Sequence, residues 1–174
     1  MASATNNFGV ADLAIFSGIV AAKIDDILRL ARPSQYQKGA TVFEQGAAPD
    51  CFFLLLYGHL RVTRVTPDGQ QVTIRYVTRG EIFGVAVALG FDAYPATAIA
   101  AVDSVAVVWP SAEWPRIAAK HPVFMMNTLQ TVGERLGDAH GRVVEMSTEK
   151  TGRVLRARSS SSQVGLGGRS IPAY

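Results

Sequence analysis

The chain has 174 residues and a mass of 18.6 kDa, enough for one ordinary domain and too little for two. Hydrophobic residues make up 48% and charged ones 18%, a balance that supports a buried core. There are 17 Lys and Arg against 14 Asp and Glu, but four of the arginines and none of the acids lie after residue 150.

Residues 1–150 therefore balance at −1, and the high isoelectric point belongs to the last 24 residues. Net charge gives the body no basic face for nucleic acid. The longest apolar run, Cys51 to Tyr57, has seven residues, where a membrane-spanning helix needs roughly 20. Nothing basic precedes Lys23, and Asp12 interrupts the first apolar stretch, so no signal peptide is read. The expectation is a soluble cytoplasmic chain with no membrane partner. Cys51 stands alone, which excludes an internal disulfide and any multi-cysteine metal or iron–sulfur site within one chain.

In chain order, residues 1–10 read as a disordered N-terminus, small and polar up to Asn7. Ala11–Leu30 turns helical in two pieces, broken at Ser17-Gly18 and ended by Pro33. Eight short runs then follow: Ser34–Gln37, Thr41–Phe43, Cys51–Tyr57, His59–Thr66, Gln71–Val77, Glu81–Phe83, Ala96–Ala101 and Val105–Trp109. Strict alternation in Gln71–Tyr76, with Val72, Ile74 and Tyr76 facing one way and Gln71, Thr73 and Arg75 the other, predicts a half-buried antiparallel strand. Pro67-Asp68-Gly69 predicts a hairpin turn. Eight short strands with this punctuation predict a mainly β barrel or jelly roll over 11–120, flanked by helices.

Ser111 is placed as the cap of a short helix with Glu113 in its first turn. His121-Pro122 opens a longer helix over 121–150. Met125, Leu129, Val132, Leu136, Ala139, Val143 and Met146 recur along it at a/d heptad spacing. That stripe fits the seam of a homodimer, or an amphipathic helix lying on its own barrel. Gly133, Gly137 and Gly141 form a second stripe open to close approach by either neighbour. Residues 151–174, with four consecutive serines, read as a disordered basic tail.

Lys38-Gly39, Phe43-Glu44-Gln45-Gly46, Phe53-Leu54-Leu55 with Gly58, and Asp68-Gly69 occur in order. Arg79-Gly80-Glu81-Ile82-Phe83-Gly84 and Tyr94-Pro95-Ala96-Thr97-Ala98 follow. Over about residues 12–150 this arrangement resembles the sensor half of the Crp/Fnr transcription regulators. The resemblance implies a cyclic-nucleotide-binding-type jelly roll, a long dimerisation helix and, beyond it, a helix-turn-helix that reads DNA. In members that bind cyclic AMP, a Glu after the Phe-Gly-type turn takes the ribose hydroxyl, and an Arg before a Ser/Thr-Ala pair takes the phosphate.

Here those two positions are Val85 and Ala96, and from Ile82 to Ala101 the only charged side chain is Asp92. A buried phosphate without its guanidinium is costly to desolvate, so ordinary cyclic AMP binding is not expected. Ile82, Phe83, Gly84, Val85, Ala86, Ala96 and Thr97 make up the candidate effector pocket. The apolar segment 85–91 reads as a site for a hydrophobic or haem-like effector or as plain packing of the roll. Haem stays open on the resemblance alone, because His59, His121 and His140 have no partner at ligand spacing. The cofactor is left unassigned, and Cys51 reads as an inert buried thiol.

The expected function is the effector-sensing and dimerisation portion of a Crp/Fnr-type regulator, truncated before the helix-turn-helix and not an enzyme. A homodimer is the expected assembly, with a heterodimer with a full-length regulator as a further partner. Sequence-specific DNA binding is not expected of this chain. The tail beyond residue 150 reads as a frame break in a GC-rich gene, a designed end or a regulatory tail. An autonomous module acting on a protein partner is one alternative. A cupin-like enzyme is the other, and it lacks the His-x-His pair such a site needs.

Overall fold

The computed structural model describes residues 9–138. The chain divides into two compact units, residues 1–132 and 133–174. The first holds both sheets; of the second, the described residues 133–138 are helical.

Eight strands form the body: β1 (Arg32–Tyr36), β2 (Thr41–Phe43), β3 (Cys51–Tyr57), β4 (Leu60–Val65), β5 (Gln71–Val77), β6 (Ile82–Phe83), β7 (Thr97–Ala100) and β8 (Ser104–Pro110). They make two antiparallel four-stranded sheets, ordered β1-β8-β3-β6 and β2-β7-β4-β5. This is the expected jelly roll, and each predicted run yields one strand. At the hairpin between β4 and β5 the Gly69 amide donates to the Thr66 carbonyl at 2.8 Å, with Gly69 at φ 82°. The Thr66 hydroxyl donates to the Asp68 carboxylate inside the same turn.

The long apolar run of β3 is explained by burial on both faces. Its pleat sends Phe52, Leu54 and Leu56 into one core cluster and Phe53 and Leu55 into another. Strand β8 divides the same way, with Val107 and Trp109 in the first cluster and Ala106 and Val108 in the second. The first cluster lies between this sheet and the helical segments. There Phe16 stacks on Phe124 at 5.6 Å, and Trp109 donates its Nε1–H to the Ile27 carbonyl at 2.8 Å. The second cluster lies between the sheets.

Helix α1 (Ala21–Arg29) buries Ile24 and Ile27, two of the periodic residues. The piece before it forms two 3-10 turns, Val10–Asp12 and Ala14–Phe16, instead of an α-helix. Leu13, with an extended backbone (φ −72°, ψ 140°), separates the two turns. Ser111 does not cap. It begins a 3-10 turn, Ser111–Glu113, and α2 (Trp114–Lys120) starts after it with no side-chain cap. Helix α3 runs over residues 122–138, opening at Pro122 as expected.

The strand β5 departs from its alternation. Val72, Ile74 and Tyr76 are 40, 49 and 57% exposed, and of the strand only Val77 is buried. The strand at the corresponding edge of the other sheet, β6, has two residues and is too short to cover seven. No helix among the described residues is long and apolar enough to cross a membrane.

Candidate functional site

The pleat splits the pocket predicted from sequence. Strand β6 directs Ile82 toward the helical side and Phe83 between the sheets, and after Gly84 the split repeats with Val85 and Ala86. Phe83, Ala86 and Ala96 thus share the between-sheet cluster, while Ile82 and Val85 belong to the other. Gly84 sits at the crossing with φ 68°, a conformation that favours glycine. A Cβ there would lie 2.8 Å from Phe53 Cδ2 and 3.1 Å from Phe43 Cε1. Thr97 is half-buried at the start of β7, and its hydroxyl oxygen accepts the Gln45 amide at 2.9 Å.

The space between Gly84 and Ala96 is filled by the protein itself. Phe43 stacks on Tyr94 with ring centroids 4.1 Å apart, and Phe53 lies 5.0 Å from Phe83 and 5.5 Å from Phe43. Such pairs are worth about 0.5–1.5 kcal/mol each beyond their buried area. The Tyr94 hydroxyl donates to the Cys51 carbonyl at 2.6 Å and accepts the Cys51 amide at 3.2 Å. Burial pushes that hydroxyl up to about 12, with the Cys51 hydrogen bond opposing, so it stays a neutral donor. Tyr94 and Phe43 are the site residues that sequence analysis missed. Their signal was an aromatic inside each of two turn motifs otherwise built from small and polar residues.

Among the described residues, the cluster that holds Phe83, Ala86 and Ala96 is built of apolar and aromatic side chains. The two arginines nearest in sequence are engaged elsewhere: Arg75 pairs with Glu81 at 2.9 Å, and Arg79 donates Nε–H to the Leu56 carbonyl at 3.2 Å. The hollow on the other side of Gly84, bounded by Phe52, Val85, Val87 and Trp114, has no room for a water molecule. Haem does not fit it. His59 is exposed, His121 packs at the α2–α3 junction, and His140 lies outside the described residues. Among the described residues no group of three or more His, Cys, Asp or Glu is placed to hold a metal ion.

An open cleft of about 260 Å³ lies apart from the predicted pocket, lined by Leu30, Ala31, Arg32, Cys51, Val108 and Pro110. Burial raises the Cys51 thiol there, against the lowering effect of Arg32. Its thiolate fraction, and hence its reactivity, is small.

The predicted dimer stripe is divided as well. Val132 packs against the chain's own core cluster, beside buried Phe124 and Thr128. Asn127 holds the same face by donating to the Ile15 and Ser17 carbonyls at 3.0 and 2.9 Å. Met125 is half-buried, Leu129 is exposed, and Leu136 is 62% exposed. Met126, absent from the predicted stripe, is 63% exposed. Ala139, Val143 and Met146 lie outside the described residues.

Comparison with known proteins agrees with this architecture. Residues 33–121 match the cyclic nucleotide-binding domain family, and the chain belongs to it. The "Cyclic AMP receptor protein" of Thermus thermophilus is 25% identical over 154 residues, covering 88% of this chain and 71% of that protein. The "cGMP-dependent protein kinase, isozyme 1" of Drosophila melanogaster is 38% identical over 81 residues, 45% of this chain but a tenth of the kinase. Among solved structures, the Thermus thermophilus Catabolite Activator Protein superposes with a TM-score of 0.68 at 23% identity. That superposition covers 77% of this chain and 63% of that one, and it is a likeness of fold.

Proposed function

We propose that this chain is the effector-sensing and dimerising part of a Crp/Fnr-type transcription regulator whose effector is neither cyclic AMP nor cyclic GMP. One observation carries the second half of the proposal. The position that should hold the phosphate-pairing arginine is Ala96, buried in one cluster with Phe83, Ala86 and Tyr94. An anion placed there loses its hydration and gains no partner. The match to the Thermus receptor protein, which extends over 88% of the chain, supports the first half.

The partner in this proposal is a second copy, or a longer regulator bearing the same helix. In the sequence Met126, Leu129, Gly133 and Leu136 recur at spacings of 3, 4 and 3; Met126 and Leu129 are exposed in the first unit and Leu136 in the second. A Cβ at Gly133 or Gly137 would meet no atom within 4 Å, so both leave room for a close neighbour. Deletion of the gene tests the regulatory role through transcript profiling. Altered levels of a discrete set of transcripts support it, and an unchanged profile contradicts it.

A further inference from the structure

The open cleft beside Cys51 has no part in the function proposed above, and the strand register explains its lining. Arg32 on β1 stands opposite Val108 on β8, and Cys51 on β3 stands opposite Pro110. Opposed residues share a face of the sheet, as do residues two apart on one strand, so these four side chains project to one side. It is the side of the between-sheet cluster, to which Val108 belongs and against which Cys51 packs. Leu30 and Ala31, which lead into β1, complete the lining. The volume of about 260 Å³ is that of roughly nine waters, enough for a ligand of about ten non-hydrogen atoms.

Apart from Arg32 and the Cys51 thiol, the lining side chains are apolar. Among the described residues the Arg32 guanidinium makes no ion pair. Burial raises the Cys51 thiol and the Tyr36 hydroxyl, and Arg32 pulls both back, which sets its charge beside the cleft. Asp50 acts on the same thiol with the opposite sign and a smaller effect. The Tyr94 hydroxyl fixes the Cys51 backbone at both carbonyl and amide, so this wall is preformed. We propose that the cleft binds a small amphipathic monoanion, a carboxylate on an aromatic or branched aliphatic body. The carboxylate pairs with Arg32, whose planar guanidinium matches it in a bidentate fork. The body lies against Leu30, Ala31 and Pro110 and shields them from water. One cation with Asp50 nearby disfavours a phosphate dianion. This site does not depend on the regulatory reading, since binding is measured on the chain alone.

Amide chemical shifts of the full chain titrated with phenylacetate test the proposal. Phenylacetamide serves as the neutral isostere, inorganic phosphate as the anion without a body, and Arg32→Gln as the variant. Arg32 is exposed, so glutamine there leaves the core intact. Saturable shifts confined to residues 30–32, 51 and 108–110, with a Kd of roughly millimolar, are the expected result. Arg32→Gln and phenylacetamide each weaken binding about tenfold, and phosphate does not compete. Alkylation of Cys51, the one thiol of the chain, is slowed by phenylacetate at alkaline pH as the second readout. Absence of saturable shifts up to about 10 mM, or shifts centred elsewhere, would overturn the proposal. So would equal affinity in Arg32→Gln, equal affinity for the amide, or displacement by phosphate. The phenylacetamide comparison uses the wild-type chain and holds even where the variant folds poorly.

Discussion

The Tyr94 hydroxyl holds both backbone groups of Cys51, donating to the carbonyl at 2.6 Å and accepting from the amide at 3.2 Å. One side chain thereby ties the loop before β7 to the first residue of β3. It also plugs the space between the sheets. Tyr94→Phe removes both bonds and leaves the ring in place, so a loss of about 1–2 kcal/mol is expected. Urea unfolding reads it as a lower midpoint with an unchanged slope. An unchanged midpoint would show that water replaces the hydroxyl without cost.

Gly84 combines positive φ with a crowded Cβ position, whereas Gly90 has φ 75° and no atom within 4 Å of a built Cβ. Gly90→Ala is expected to lose roughly 1 kcal/mol from the backbone alone. Gly84→Ala is expected to lose roughly 2–3 kcal/mol, because Phe53 and Phe43 must also shift. Denaturant midpoints of the two variants give the comparison. Equal losses would mean that the aromatic stack yields freely.

His121 is buried, and its Nδ1 has no hydrogen-bond partner among the described residues. Burial lowers its pKa below the ordinary 6.5; Asp26 opposes this, and Lys23 and Lys120 add to it. The unfolded chain then binds more protons than the folded one just below pH 6.5. This contribution to stability is complete above that value and is lost as pH falls through the lower folded pKa. Stability measured from pH 8 to pH 5 is expected to fall more steeply for wild type than for His121→Gln. Parallel profiles would assign the acid sensitivity to other groups.

Leu136→Asp is expected to lose association through α3, read in light scattering as a lower mass than wild type at the same concentration, since it puts a charge on an exposed apolar position of α3. Val132→Asp behaves differently, because Val132 packs on the chain's own core and its replacement lowers the unfolding midpoint. A monomeric wild type would remove the seam from the account.

How much of this was legible follows from what each pattern measures. Strand positions were readable because Gly, Pro and Asp mark strand ends wherever the strand packs. Alternation in Gln71–Tyr76 identified a strand but not its inner face, since burial depends on what the opposite sheet brings, and β6 brings two residues. Of the heptad residues described in α3, Val132 packs on the core while Leu129 and Leu136 are exposed, and Met126, outside the heptad, is exposed too. A helix serving two neighbours carries two overlapping stripes, and a single count merges them. At the site, the missing charges at Val85 and Ala96 were legible. The plug was not, because Tyr94 and Phe43 are 51 positions apart in sequence and meet only through the roll.

The most direct test is calorimetric titration of the full chain with cyclic AMP and with cyclic GMP. With Ala96 at the phosphate position and Tyr94 filling the space beside it, neither ligand is expected to show saturable binding in the roughly micromolar range. Saturable micromolar binding of either would contradict the account. It would mean that Tyr94 leaves its place on Cys51 and that backbone amides or Arg75 take the phosphate in place of the missing arginine.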